Sequence, residues 1–425
     1  MKTRKQNKHY LSFVIVVLLF GCSTLNRSKT STPSPVIHQE TNTMMPGVAS
    51  SPLVATSTSS IETVPICQGK GKHILASSKS GIPGTIIYQN EDATGLYTIG
   101  GTPIIRSQLL ADETQQNVVF GFSPDGQWLA YSPFNSSSDA KLELLEVILL
   151  SADGEKIVQE LSITEFEDEL QIGHQLVGVS GYSYWINAET IYVTFYSQNP
   201  DTRTSGYLSD LPKVLNPFSG EWNSQLLELP DRFLSGVVGI SPDMSRALYK
   251  EKGLSLWDYD RKTGIWQDDT LISPFRALIL WSPDSSMAAF ASLYDNFSEQ
   301  SAIIISKDGD IRLIMNKTFP VPGLRILNIS WSPDSQYLAL AVRDGENLSI
   351  LVYNVSLGRY VSQCPIAKSK GIWPPLIWSP DSSYIAISDI GSHILIFNTL
   401  SGDVLELSQN GIVLGWSDKF PITLP

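Results

Sequence analysis

Five aspartates, Asp125, Asp243, Asp284, Asp334 and Asp381, recur at one fixed place in the chain's repeats, and a repeated carboxylate is first of all a candidate calcium ligand. Calcium needs a loop dense in oxygen ligands, whereas each of these aspartates stands alone after Ser-Pro. Turn stabilisation is the better account. Beyond the first 65 residues the only imidazoles are His73, His174 and His393, too scattered for the short ligand spacing that zinc sites use. No G-x-S-x-G nucleophile elbow is present. The residue types and spacings therefore assign no catalytic residue, no metal site and no cofactor.

The aspartates sit in five near-copies of one decapeptide: FSPDGQWLAY from Phe122, ISPDMSRALY from Ile240, WSPDSSMAAF from Trp281, WSPDSQYLAL from Trp331 and WSPDSSYIAI from Trp378. Each copy predicts strand, tight turn, strand. Pro presets φ at the second turn position, Asp tolerates the third, and Gly or another small residue closes a type I turn. After the turn, apolar residues alternate, as at Leu129 and Tyr131 or Ile385 and Ile387, so that they share one sheet face. Weaker copies start at Trp185 and Trp416, which brings the candidates to seven.

A second series interleaves with the first. LYTIGGTPIIRSQLL, LLSADGEKIVQEL, VLNPFSGEWNSQLLEL, LWDYDRKTGIWQ, IIISKDGDIRLIM, LVYNVSLGRYVSQ and ILIFNTLSGDVLELS each place a Gly turn between two apolar runs, the pattern of a β-hairpin. The two series are offset by one, beginning with a hairpin and ending with the Trp416 copy. Pairing the two ends completes one more four-stranded unit and removes the exposed edges of a ring.

These Trp-Ser-Pro-Asp repeats resemble the WD-repeat-like blades of TolB-type β-propellers over about residues 82 to 425. The resemblance implies an all-β propeller of four-stranded antiparallel blades, seven by the count above and six as the fallback. It leaves function open, because such propellers serve binding, transport and enzymatic roles. Prolyl-oligopeptidase-type relatives attach an α/β hydrolase domain for which no residues remain here, and propeller lyases acting on uronic-acid chains hold a metal with several His that this chain lacks.

At the amino terminus, Lys2, Arg4, Lys5 and Lys8 precede an apolar stretch from Leu11 to Gly21, too short to span a membrane as a helix. The ending Leu18-Leu19-Phe20-Gly21-Cys22 resembles a bacterial lipobox, departing from it at Phe20, and implies a lipidated Cys22 after a signal peptide of residues 1–21. An ordinary secretory signal with an incidental Cys is the alternative. Residues 22–65 then form a tether crowded with Ser, Thr and Pro that cannot bury enough apolar surface to order, and residues 66–425 form the propeller. The expected location is outside the cytoplasm, on the cell surface or in the periplasm, anchored to a membrane by lipid.

The chain's formal charge is −12, and the signal peptide carries four basic and no acidic residues, which leaves about −16 on the mature form. So acidic a body argues against nucleic acid and against lying flat on anionic lipid. Of the other cysteines, Cys67 and Cys364 are either bridged or two buried thiols.

In a four-stranded antiparallel blade the first and third turns share one end. The second connections leave at the other, and here they vary in length and charge. Asp139, Arg203, Asp295, Arg343, Asp344 and Asp389 on these connections are the expected polar mouth that meets a partner. The reading is a monomeric, non-catalytic binding or scaffold module for a protein or polysaccharide of the cell envelope. Its alternative is a polysaccharide lyase or glycoside hydrolase with carboxylates gathered at the channel mouth.

Overall fold

The computed structural model describes residues 73–77, 80–90, 95–110, 116–134, 142–164, 166, 175–179, 183–198, 208–223, 237–250, 254–258, 263–268, 277–292, 302–315, 325–368, 375–388 and 393–423. Among them the regular elements are all strands apart from short turns. No helix among them is long and apolar enough to cross a membrane.

In chain order, β1 (His73–Leu75) precedes β2 (Ile82–Gln89), β3 (Leu96–Gly101) and β4 (Ile105–Leu110). The next blade is β5 (Gln116–Phe122), β6 (Trp128–Phe134), β7 (Leu144–Ser151) and β8 (Lys156–Ser162). It is followed by β9 (Gln175–Val179), β10 (Tyr184–Asn187), β11 (Thr190–Gln198), β12 (Leu208–Asn216) and β13 (Glu221–Trp222). Then come β14 (Val237–Ile240), β15 (Arg246–Lys250), β16 (Leu254–Asp258) and β17 (Thr263–Asp268), and after them β18 (Ala277–Trp281), β19 (Met287–Ser292), β20 (Ala302–Ser306) and β21 (Ile311–Met315). The last full blades are β22 (Arg325–Trp331), β23 (Tyr337–Asp344), β24 (Asn347–Asn354) and β25 (Arg359–Lys368), and β26 (Leu376–Trp378), β27 (Tyr384–Ile387), β28 (His393–Asn398) and β29 (Val404–Asn410). The chain finishes on β30 (Ile412–Ser417).

These strands form seven sheets: four keep only consecutive strands as neighbours, a fifth adds β9 to β11 on the side of β10, and a sixth adds β1 to β29. The seventh has the order β30-β2-β3-β4, with Ile86 opposite Trp416 and Thr85 opposite Ser417 in antiparallel register. The carboxyl-terminal strand thus supplies the innermost strand of the sheet begun by the amino-terminal hairpin, and the closure expected from the offset of the two repeat series is present. Around the ring, innermost strands pack on one another: β30 on β5, β5 on β10, β14 on β18, β18 on β22, β22 on β26 and β26 on β30. Between β10 and β14 the Asn187 amide donates to the carbonyl of Pro242 at 3.1 Å. The molecule is a β-propeller.

The core lies between blades because each sheet has two apolar faces. Val342, Leu340 and Leu338 of β23 pack with Ala289, Ala291 and Ile304 of the preceding blade, while the alternate residues Ala341 and Ala339 pack with Leu376, Trp378 and Phe397 of the following one. The period-two alternation places large residues on one face and the recurring Ala where the next sheet comes closest. Burying each large side chain contributes about 1.5–3 kcal/mol, so these interfaces dominate cohesion.

One strand lies outside the repeat logic. β1 adds in parallel to the outer edge of β29, with His73 opposite Val404 and Leu75 opposite Glu406. The Ala76 N–H extends the ladder to the Glu406 carbonyl at 2.9 Å. Nothing in three residues, His-Ile-Leu, distinguishes such an edge strand from a linker.

Candidate functional site

The Ser-Pro-Asp turns show what the repeated carboxylates do. In all five copies the Ser hydroxyl donates to the Asp carboxylate two residues on, at 2.5 or 2.6 Å: Ser123 to Asp125, Ser241 to Asp243, Ser282 to Asp284, Ser332 to Asp334 and Ser379 to Asp381. The same hydroxyl oxygen accepts the backbone N–H five residues on, at 2.9–3.0 Å, which starts the second strand. Each carboxylate also accepts the N–H two residues after it. The turn closes with a left-handed residue: Gly126 at φ 72° in the first copy, Met244, Ser285, Ser335 and Ser382 at 58–61° in the others. L-residues pay for that conformation, and the surrounding hydrogen bonds hold them in it.

The left-handed serines then reach across the ring. Ser285 Oγ accepts the backbone N–H of Asp243 at 2.9 Å, Ser335 that of Asp284 at 3.1 Å, and Ser382 that of Asp334 at 3.4 Å. At the closing seam, Ser417 Oγ donates to the carbonyl of Gly126 at 2.7 Å. Burial pushes the Asp243, Asp284 and Asp381 carboxyls upward, but the hydrogen bonds from neighbouring Ser hydroxyls and backbone amides outweigh it and hold all three below the usual range. These aspartates are turn and seam elements. Among the described residues no group of three or more His, Cys, Asp or Glu is placed to hold a metal ion.

The leading aromatics are seam elements as well. Trp185 Nε1 donates to Gly121 O at 3.0 Å, Trp331 to Leu280 O at 2.9 Å and Trp378 to Ser330 O at 3.1 Å, each on the innermost strand of the blade before. Trp416 instead donates to Pro83 O on β2 of its own sheet at 2.6 Å. The buried indole nitrogen of Trp281 has no hydrogen-bond partner among the described residues. Trp222, less regular in sequence, packs edge-on against Phe166 with centroids 5.1 Å apart and so fills a gap between sheet and loop. Tyr184 tilts against Tyr192 at 5.2 Å, and burial raises its hydroxyl pKa to about 12.

These turns line one end of the ring, and the second connections of the blades leave at the opposite end. Of the six residues expected at the mouth, Asp139, Arg203, Asp295 and Asp389 lie outside the described residues. Arg343 and Asp344 close β23 at that end, where Asp344 pairs with Asn347 across a tight turn through Gly345 at φ 58° and Glu346. Asp344, Gly345 and Glu346 are exposed and Arg343 is half-buried. Sequence reading missed Arg325, which stands directly opposite Arg343 at the start of β22. Only the strand register, invisible in the sequence, brings the two together.

Cys22 and Cys67 also lie outside the described residues, while Cys364, buried on β25, is disulfide-bonded.

No known protein family and no curated protein matches the sequence. Solved structures of similar fold include an oligogalacturonate lyase in complex with manganese, 14% identical, with a TM-score of 0.45 over 79% of this chain and 85% of that one. TolB from Acinetobacter baumannii is 14% identical, with a TM-score of 0.41 over 78% of this chain and 82% of that one. A proposed 6-phosphogluconolactonase from Bacteroides uniformis is 16% identical, with a TM-score of 0.44 over 80% and 98% respectively.

Proposed function

We propose that the protein is an extracytoplasmic lipoprotein, anchored through Cys22, whose propeller binds a protein of the cell envelope at the end of the ring opposite the Ser-Pro-Asp turns, without catalysis. One observation carries this reading: the uniform turns spend their polar groups on each other and on the neighbouring blade, so variation is confined to the other end. A rigid ring with variable connections at one mouth suits recognition. The leader and lipobox support the location, and the Ser/Thr/Pro tether gives the ring reach from the bilayer.

The test is capture from membranes of the native host with the full chain, comparing the natural sequence with a double variant, Arg343→Glu and Asp344→Arg. Loss of a partner held by the natural chain supports the reading. Undiminished capture refutes the placement of the site. An activity screen on envelope and plant polysaccharides, run alongside, distinguishes the enzyme alternative, since turnover of any of them overturns the non-catalytic part.

A further inference from the structure

Cys364 sits on the outermost strand of its blade, at the seam with the next one. Only 1% exposed, it packs in one cluster with Ile350 and Val352 of its own sheet and with Leu395, Phe397 and Val404 of the following sheet. Its Sγ lies 3.5 Å from the Ser362 hydroxyl, and it is held in a disulfide. The chain has three cysteines, so within it the partner is Cys22 or Cys67.

Strand register favours one of them. Val404, a member of the Cys364 cluster, is the Cα partner of His73 on β1. The first strand therefore brings the chain to the same seam, and Cys67 lies six positions before His73. Six residues reach at most about 20 Å, and the Cα atoms of a disulfide stand about 4.4–6.8 Å apart, so β25 is within range of Cys67. Cys67 and Cys364 also belong to one compact unit, Ile61–Pro425, which does not include Cys22.

We propose that Cys364 is bonded to Cys67 and that this disulfide staples the leading segment across the seam between β25 and β29. The pairing depends neither on the binding function nor on lipid at Cys22. Two S–H bonds are lost and one S–S bond forms. The two electrons and two protons pass to a disulfide oxidant, a protein or small molecule of an oxidising compartment, which leaves as a dithiol. Burial of Cys364 keeps attacking thiolates off the finished bond, which makes it a fixed staple and not a redox switch. The three residues of β1, with Ile74 and Leu75 exposed, bury too little to hold the segment firmly by themselves. The bond also closes a loop that takes in most of the propeller, and so long a loop strongly restricts the unfolded chain.

The full chain is purified in detergent from bacterial membranes, with N-ethylmaleimide present from lysis through unfolding in urea, and is digested with trypsin without reduction. Cleavage after Lys29, Lys70, Arg359 and Lys368 puts the three cysteines on separate peptides. Mass spectrometry should find residues 30–70 linked to residues 360–368, a species that dithiothreitol separates, with no maleimide on Cys364. C67S should leave Cys364 open to maleimide and should melt about 5 °C or more below the natural chain. Dithiothreitol should bring the natural chain down to the melting temperature of C67S and leave C67S unchanged. The proposal is overturned if Cys364 of the natural chain takes up maleimide, if it is linked to the Cys22 peptide or to a second copy of residues 360–368, or if C67S melts together with the natural chain.

Discussion

Ser335 Oγ accepts the backbone N–H of Asp284 at 3.1 Å across a seam between blades, although the two residues are 51 positions apart in the chain. The left-handed turn position that holds Ser335 is what aims its hydroxyl at the neighbour. Ser335→Ala should therefore destabilise by about 0.5–1.5 kcal/mol, the usual net worth of one such bond. Ser335→Gly loses the same bond and relieves the left-handed strain, so it should cost less than alanine. Urea unfolding of the two variants checks the order.

The indole pair Trp281 and Trp331 offers a controlled contrast. Trp331 donates to Leu280 O at 2.9 Å, whereas the buried indole nitrogen of Trp281 has no partner among the described residues. Phe in place of Trp331 orphans a backbone carbonyl and should cost about 1–3 kcal/mol beyond the change in packing. Phe in place of Trp281 removes an unsatisfied buried donor and should cost distinctly less. Equal losses in paired denaturation curves would contradict this account of the seams.

Acid should loosen the turns. The Asp243, Asp284 and Asp381 carboxyls lie below their ordinary value in the folded chain. A depressed folded pKa means that the stabilisation is present above the unfolded value of about 3.9 and is lost as pH falls through the lower folded values. Melting temperature should accordingly decline below about pH 4. Asp284→Asn should flatten that decline while lowering stability at neutral pH. Calorimetry between neutral and acidic pH measures both.

Ring closure is testable by truncation. Ending the chain after Gly411 deletes β30, exposes the edge of β2 and removes Trp416 from its cluster with Ile86, Tyr88 and Ile99. The shortened chain should fail to give a cooperative thermal transition, and circular dichroism with light scattering reports it.

The sequence made the blades legible because each carries the same turn chemistry. Pro, Asp and a left-handed closing residue can be read from one decapeptide, and period-two alternation assigns its faces. The seam bonds were harder to foresee: that Ser382 turns toward Asp334 follows from a backbone angle, and no local pattern separates it from a solvent-facing serine. At the mouth the limit was register. Arg343 could be singled out as a charge on a variable connection, but Arg325 lies 18 positions earlier, and only the pairing of β22 with β23 sets the two side by side. The residues 139, 203, 295 and 389 fall on connections with no repeat to constrain them.

The parallel edge strand has a mechanical consequence. Tension that reaches His73 loads the β1 to β29 ladder along its length, so those bonds must shear together before that pull reaches β2 in the closing sheet. Along the chain, the β2 to β30 joint thereby lies behind a second set of bonds.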